Sequence, residues 1–355
     1  HMVVLGVDAH KRTHTIVAVD DHGKQIGSKV VAATPAGHVD ALKWTDQWSE
    51  RLWAIEDCRA LSRRLEQDLL RAGQAVVRIP PKLMAVHRRS VRTPGKSDPI
   101  DALAVAHAAQ REGDLPAARL DGPEREIRLL VDHRDDIVTE RTRIENRLHL
   151  HLHELKPGLE IKAGSLKNLC VLDELLTEVQ SHAGVVADIA AELIGRCREL
   201  TRRANQLERE IDKRVREFAP TLLLLVGCGA LSAAKIIGEV ATVSRFKSRD
   251  AFAMHNGTAP IPVWSANKER YRLNRGGNRQ INAAIHRIAI TQKRMHQPAK
   301  NYIDKRMTSG DSKREALRML RRRISNEVYK RLLMDEQVRY QTDEILESSG
   351  LVKAA

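Results

Sequence analysis

The sequence predicts an α/β domain at the N-terminus, followed by a long and mostly helical region. Short hydrophobic runs separated by turn residues fill the first 80 positions, which is typical of a sheet of short strands. From about Glu124 to Phe218, apolar residues instead recur at three- and four-residue spacing, and aromatic residues are almost absent. A chain of 355 residues is long enough for two or three domains with separate cores.

Three strands and then a strand–helix–strand unit are predicted in the α/β domain. The runs VVLGVD, THTIVAVD and KQIGSKVVA are separated by Gly/Asp-containing turns, which favours hairpins. A helix from Thr34 to about Ser49 leads to the strand WAIE, and a helix from about Ala60 to Arg71 leads to the strand AVVRIP. Because a strand–helix–strand unit implies parallel pairing, the sheet is predicted to be mixed. This order of elements is the one expected of an RNase H-like domain.

Two long amphipathic helices are predicted next, separated by Pro157-Gly158 and a less regular stretch to about Gly184. The apolar stripe of the first helix consists of Ile127, Leu130, Val131, Ile137, Ile144 and Leu148. That of the second consists of Ile189, Leu193, Leu200, Leu207 and Ile211. Such a pair of stripes predicts an antiparallel coiled coil, serving either self-association or spacing.

A mostly helical C-terminal domain is expected to begin with a helix, the turn Gly227-Cys228-Gly229 and a second helix. This arrangement resembles a helix-hairpin-helix, whose turn amides face DNA phosphate. A glycine-rich turn between helices is equally an ordinary packing device. The predicted domain boundaries are 2–115 for the α/β domain, 116–218 for the coiled coil and 219–345 for the C-terminal domain.

Positive charge is concentrated near the C-terminus. The chain has a formal net charge of +14, and residues 265–340 hold 20 Lys/Arg against 7 Asp/Glu. A focused basic surface attracts polyanions, which favours a nucleic-acid partner over the alternative of solvated helix faces. We find no apolar run near the length of a membrane span and no signal peptide, so the protein is expected to be cytoplasmic. The cysteines have no metal-binding spacing and are interpreted as reduced thiols: Cys58, Cys170, Cys197 and Cys228.

Four carboxylates stand where a strand ends or a helix begins. Asp8 closes VVLGVD, Glu56 closes WAIE, and Asp98 and Asp101 open SDPIDALAVAHAA. Carboxylates at the edge of such a sheet can hold Mg²⁺, and a metal pair would stabilise both the attacking and the leaving oxygen in phosphoryl transfer. The alternative for Asp98, which precedes Pro99, is a helix N-cap with Asp101 completing a capping-box-like pair.

Cations surround two segments that could contact phosphate. One precedes Asp98 and is either a phosphate-binding loop or an exposed linker; the other spans residues 255–290. In the second segment, Ser265 is expected in a polar loop, where it is a plausible nucleophile, and a Gly-Gly-Asn turn precedes a helix whose N-terminus could bind phosphate. The candidate nucleic-acid-binding residues are Arg88, Arg89, Arg92, Lys96, Lys268, Arg270, Arg272, Arg275, Asn278, Arg279 and Arg287.

Four motifs in this order resemble one family over nearly the whole chain. GVDAHK, the Glu56 strand, GKSDPIDA and GTAPI…S…RLNRGGNRQINAAIHRIA are similar to the DEDD transposases of the IS110/IS1111 insertion sequences. The resemblance implies a RuvC-like N-terminal domain, a coiled-coil linker and a C-terminal transposase domain. It also implies a recombinase guided by a structured RNA that pairs with donor and target DNA.

The same resemblance implies site roles. Asp8, Glu56, Asp98 and Asp101 would hold Mg²⁺ or Mn²⁺, and a C-terminal serine, here Ser265, would attack DNA to form a phosphoserine link. Both groups would then meet in one composite site of a homodimer or homotetramer. Members of the family commonly read Ser-Ser-Gly where this chain reads Trp264-Ser265-Ala266-Asn267.

Three other functions remain open at this point. A junction-resolving nuclease would use the same acids but cut with activated water. A non-catalytic RNA- or DNA-binding protein would use the acids only as caps and surface groups. A sugar kinase-like ATPase is disfavoured, because Ala9-His10-Lys11 follow Asp8 where a glycine-rich phosphate loop would be needed.

Overall fold

The chain folds as two units, which divide between Asp121 and Gly122. The computed structural model describes residues 2–57, 61–80, 83, 97–113, 115–265 and 268–348. In the first unit the elements are β1 (Val3–Ala9), β2 (Thr13–Val19), β3 (Gln25–Ala32), α1 (Pro35–Thr45), β4 (Arg51–Glu56), α2 (Arg63–Arg71), β5 (Val76–Ile79) and α3 (Asp98–Arg111).

The second unit is mainly helical. Its helices are α4 (Pro123–Leu155), α5 (Leu169–Gln180), α6 (Val185–Phe218), α7 (Pro220–Leu223), α8 (Ala230–Val240), α9 (Arg249–Asn256), α10 (Arg279–Met295), α11 (Gln297–Thr308) and α12 (Lys313–Ser348). Between α9 and α10 stands a two-stranded hairpin of β6 (Ile261–Ser265) and β7 (Lys268–Arg272). Within the described residues, no helix is both long and apolar enough to cross a membrane.

The sheet of the first unit is mixed, as predicted. Its strand order is β3-β2-β1-β4-β5. The pairs β1–β2 and β2–β3 are antiparallel, whereas β1–β4 and β4–β5 are parallel. The three-strand meander followed by a strand–helix–strand unit is therefore confirmed, with β1 at the centre.

Alternation along β1 separates two layers of core. Val3, Leu5 and Val7 pack in one cluster together with side chains of α1 and α2. Val4 packs in another cluster, whose helical members come from α3. Because successive side chains of a strand point to opposite faces, positions 4, 6 and 8 of β1 all lie on the α3 face.

Gly6 allows α3 to lie directly on the central strand. A Cβ atom built on Gly6 would stand 2.1 Å from the carbonyl oxygen of Ala102 and 2.5 Å from the amide nitrogen of Ala106. Those atoms belong to the helix backbone, which cannot move aside as a flexible side chain would. The absence of a side chain at Gly6 thus fixes the depth at which α3 packs.

The two long helices of the second unit run antiparallel. Their cross-pairs are Glu126 with Arg214, Arg134 with Glu208, and Glu140 with Arg196, so residue numbers rise along α4 as they fall along α6. The antiparallel arrangement is thereby confirmed, whereas supercoiling of the pair stays a prediction. The connector is more regular than expected, because α5 contributes Leu172 to the buried cluster between the long helices.

The assignment of Ile189 to the buried stripe of the second long helix is wrong. Ile189 is 38% exposed, whereas Ala187 and Ala190 are buried. The buried positions of α6 then continue through Ile194 and Cys197 at three- and four-residue spacing. The small alanines occupy the core-facing positions, and the larger isoleucine lies beside them, so side-chain size misled the assignment.

The turn at Gly227 packs within its own unit. Gly227 has φ of +84°, and a Cβ there would stand 3.1 Å from the carbonyl oxygen of Ile288 in α10. The helix before this turn, α7, has only four residues. These contacts favour the packing alternative over a helix-hairpin-helix. Of the cysteines, Cys197 and Cys228 are buried free thiols, Cys170 is an exposed one, and Cys58 lies outside the described residues.

We predict that Gly6→Ala lowers the free energy of unfolding by about 3 kcal/mol or more, because the added methyl group meets the backbone of α3. Chemical denaturation measures the change. Gly113→Ala is the matched control, since no atom lies within 4 Å of its Cβ position. Equal stability of the two variants would contradict the close packing of α3 on β1.

Candidate active site

Asp8 and Glu56 are brought together by the register of two parallel strands. Val7 of β1 aligns with Ile55 of β4, so each acid follows directly after an aligned pair. Residues in register on parallel strands project to the same face. That face is the one covered by α3. Asp8 is 6% exposed, and Glu56 is half-buried.

The other two acids stand in the first turn of α3. The N-cap of this helix is Ser97, in an extended conformation with φ of −147° and with no side-chain cap hydrogen bond. Asp98 is the first helical residue, so the alternative in which Asp98 is the N-cap is wrong. The backbone amide of Asp101 donates to the carbonyl oxygen of Ser97 at 3.1 Å, as the helix requires.

His10 joins two of these acids. Its Nε2 atom lies 3.0 Å from Oδ2 of Asp8 and 3.3 Å from Oδ1 of Asp98. One ligand atom from each of the three residues lies within 4.8 Å of the others, which is compatible with a shared metal ion. Sequence reasoning missed His10 as a site residue. The available signal was its position two residues after Asp8, just beyond the end of β1.

The charges of Asp98 and Asp101 both act on Asp8. Burial raises the pKa of Asp8, His10 lowers it, and the charges of Asp101 and Asp98 raise it again, with a net rise. Burial lowers the pKa of His10, but the charges of Asp8 and Asp98 and hydrogen bonds to both outweigh burial and raise it. A cluster of mutually repelling carboxylate oxygens is a donor set that suits a hard divalent cation.

Ser265 lies at a strand end and not in the loop that the sequence suggested. It is the last residue of β6 and pairs in register with Lys268 of β7. The preceding residue, Trp264, pairs with Glu269 and is 70% exposed. The hairpin thus presents the serine next to a large exposed aromatic side chain.

Four arginines near the hairpin face solvent, while two acids of the second unit face inward. Arg272, Arg275, Arg279 and Arg287 are all exposed. By contrast, Asp335 is 2% exposed and accepts hydrogen bonds from the first amides of α7, and buried Glu336 accepts from Ser244. The four arginines therefore present positive charge at the surface. Lys268 and Arg270 lie on β7, whereas Arg88, Arg89, Arg92 and Lys96 lie outside the described residues.

The Gly-Gly-Asn turn before α10 makes contacts that stabilise the fold. Asn278 caps the helix, since its side chain accepts from the amides of Gln280 and Ile281 at 3.0 Å. Its side-chain amide also donates to Glu239. A Cβ on Gly277 would stand 2.3 Å from the backbone nitrogen of Gly257. These contacts account for the turn without a phosphate ligand.

Comparison with known families agrees with this site. The DEDD transposase model of the IS110 family matches residues 5–157, which include all four acids. The model described as "Transposase IS116/IS110/IS902 family" matches residues 219–304, which include Ser265. The chain belongs to the IS110 family of transposases. It is therefore an enzyme of insertion-sequence transposition that recombines DNA by phosphoryl transfer, and the DEDD family implies dependence on a divalent metal.

Two curated relatives are similar over most of their length. An insertion element IS116 protein of Streptomyces clavuligerus, described as an uncharacterized 44.8 kDa protein, is 26% identical, with 90% of this chain and 92% of the relative covered. An insertion element IS900 protein of Mycobacterium paratuberculosis, described as an uncharacterized 42 kDa protein, is 24% identical, with 90% of this chain and 93% of the relative covered.

Among solved structures, T. thermophilus RuvC in complex with a Holliday junction substrate matches at 19% identity. The match covers 33% of this chain and 100% of RuvC, with a TM-score of 0.26. At that score, the strand order of the first unit remains the better description of its fold.

We predict that the metal-free protein loses stability as pH rises above about 6.5, the usual pKa of histidine, because the folded-state pKa of His10 is raised. Pairing of His10 with Asp8 and Asp98 stabilises the fold fully below that value and is lost as pH passes the raised pKa. Denaturation in a chelator at several pH values gives the free energy of unfolding as a function of pH. This free energy should fall less steeply with rising pH in His10→Gln than in the wild type. His22→Gln is the control, because His22 is exposed. If His10→Gln had the same dependence of stability on pH as the wild type, the pairing would be contradicted.

Proposed function

We propose that this transposase exchanges DNA strands under the guidance of a structured RNA, with a metal held by four acids and Ser265 as the nucleophile. The observation that carries the proposal is the convergence of Asp8, Glu56 and the first turn of α3 on one face of the sheet. The strand order supports an RNase H-like, RuvC-like reading of the first unit. We propose a coiled-coil linker over 116–218 between domains 2–115 and 219–345, acting in the bacterial cytoplasm.

The acids would hold Mg²⁺ or Mn²⁺ through Asp8, Glu56, Asp98 and Asp101. Carboxylate oxygens are the ligands that these ions prefer. When bound, the cation would neutralise charge on the phosphate and stabilise the leaving oxygen. Without it, His10 supplies the positive charge between Asp8 and Asp98. His10 would give up these contacts as the carboxylates take the metal.

The serine chemistry is a transesterification. Oγ of Ser265 loses its proton to a base and attacks phosphorus, which forms the Oγ–P bond. The bond from phosphorus to one deoxyribose oxygen breaks, and that oxygen takes up a proton. A hydroxyl of the second DNA strand then attacks the phosphoserine, and Ser265 leaves and regains its proton. Because one phosphoester replaces another at each step, no external energy source is needed.

The basic surface of the second unit would bind double-stranded DNA, both donor and target, and the guide RNA. Exposed Arg272, Arg275, Arg279 and Arg287 support this assignment, because phosphate contacts supply most sequence-independent affinity. Lys268 and Arg270 of β7 and the segment with Arg88, Arg89, Arg92 and Lys96 are further candidates. Asn278 would contribute by holding the start of α10. A homodimer or homotetramer is proposed as the active form.

We predict that Ser265→Ala abolishes strand exchange and leaves DNA and RNA binding within about twofold, since a hydroxyl contributes little to sequence-independent affinity. A nicked suicide substrate should trap the wild-type chain in a covalent adduct that survives denaturing electrophoresis. Ser309→Ala serves as the matched control, because Ser309 is exposed and hydrogen-bonds only to its own helix in the described residues.

Two outcomes would contradict the serine mechanism. Strand exchange by Ser265→Ala at the wild-type rate would exclude the serine as nucleophile. Cleaved DNA ends without any adduct in the wild-type protein would favour the water-activated nuclease instead. Sequencing of RNA that co-purifies with the protein from cells carrying its element tests the guide, which should derive from a non-coding end of that element.

A further inference from the structure

Trp264 is a large aromatic side chain left on the surface. Its exposed fraction is 70%, whereas Trp53 of the first unit is fully buried, and Trp44 and Trp48 pack against the same core. Trp264 is the one tryptophan in residues 122–355. An exposed indole offers a large rigid face with a polar N–H, a combination that suits a binding partner.

The backbone places this side chain beside the proposed nucleophile. Trp264 and Ser265 are the last two residues of β6, with partners Glu269 and Lys268 across the hairpin. Adjacent strand positions are about 3.3 Å apart and alternate between the two faces of the ribbon. A DNA strand that passes around the end of the hairpin meets both faces, and can present a phosphate at position 265 and a base at position 264.

The charge around the hairpin selects the kind of partner. Residues 264–279 contain the cations Lys268, Arg270, Arg272, Arg275 and Arg279 and one acid, Glu269. Arg272, Arg275 and Arg279 are exposed and make no ion pair with another described residue. A second copy of this chain would bring the same positive charge and be repelled. A nucleic acid would be attracted, which makes a base the best partner for the indole.

We propose that Trp264 is a stacking site for an unpaired nucleobase next to the phosphodiester that Ser265 attacks, an inference that rests on the proposed function. In a duplex both faces of a base are already stacked, so the indole can reach only a base that is unpaired or splayed out. Strand exchange creates such bases, because the cut strand must leave its complement. Any base can stack on an indole, so the site is indifferent to sequence.

Fluorescence and affinity measured on the full chain test this site. The probes are a DNA duplex with a central unpaired loop, a fully paired duplex of equal length, and the looped duplex with abasic sites in the loop. The variants are Trp264→Ala, Trp264→Phe and Trp264→Ser. The difference between wild-type and Trp264→Phe emission isolates the indole at position 264.

Looped DNA should quench that difference signal, and abasic looped DNA should not. Trp264→Ala and Trp264→Ser should bind looped DNA roughly tenfold more weakly, corresponding to one stacked base. Trp264→Phe should retain affinity within about threefold, because a phenyl ring also stacks. All variants should bind the paired duplex equally.

Equal affinity of Trp264→Ala and wild type for looped DNA would overturn the proposal. So would quenching that grows with protein concentration in the absence of DNA, which would assign the indole to a contact between copies. The experiment distinguishes failure of the stacking site from failure of the serine mechanism. Ser265→Ala should show the same quenching by looped DNA as the wild type, whether or not Ser265 is the nucleophile. Quenching without any covalent adduct would thus keep the stacking site and reject only the nucleophile.

Discussion

The close contact between α3 and Gly6 of β1 is the constraint on which the candidate active site depends. It seats the helix backbone directly on the central strand, at a distance that no larger residue permits. The first turn of the helix then lies over the end of β1, where Asp8 stands. Asp8 of β1 and Asp98 of α3 both contact His10, and the close packing allowed by one missing side chain brings their two elements together.

Bringing carboxylates together works against stability. Burial and the charges of Asp101 and Asp98 all disfavour ionised Asp8, and only His10 opposes them. Asp8 therefore lies in surroundings that disfavour its charged form, and such perturbed groups are common at functional sites.

Much of this arrangement could be read from the sequence, because local patterns determine it. Strand alternation and turn residues predicted β1 to β5, and the placement of Asp8 and the α3 acids at element ends agrees with the interaction of these acids. That Glu56 belongs to the same site stays a prediction. His10 could not be assigned, since its role depends on how a residue beyond a strand end folds back. The N-cap of α3 could not be chosen from the sequence, because Ser97 and Asp98 are both good caps and packing decides between them.

The second unit was harder to predict, since its features depend on tertiary contacts. Whether Ile189 or its alanine neighbours face the core is decided by helix packing, which apolar spacing alone does not determine. The strand position of Ser265 depends on pairing across a hairpin that contains several charged residues, a composition more typical of loops. Likewise, the burial of Asp335 and Glu336 depends on helix packing that the spacing of charges does not reveal.

The central claim is that the four acids form one metal site. It is tested by measuring the binding of Mn²⁺ to the protein by paramagnetic resonance or calorimetry. The account predicts saturable binding to the wild-type chain and to Asp40→Asn, an exposed acid paired with Lys29 on the α1 side of the sheet. It predicts binding at least tenfold weaker in Asp8→Asn, Glu56→Gln and Asp101→Asn, since each removes one charged ligand. Wild-type affinity in those three variants would contradict the account.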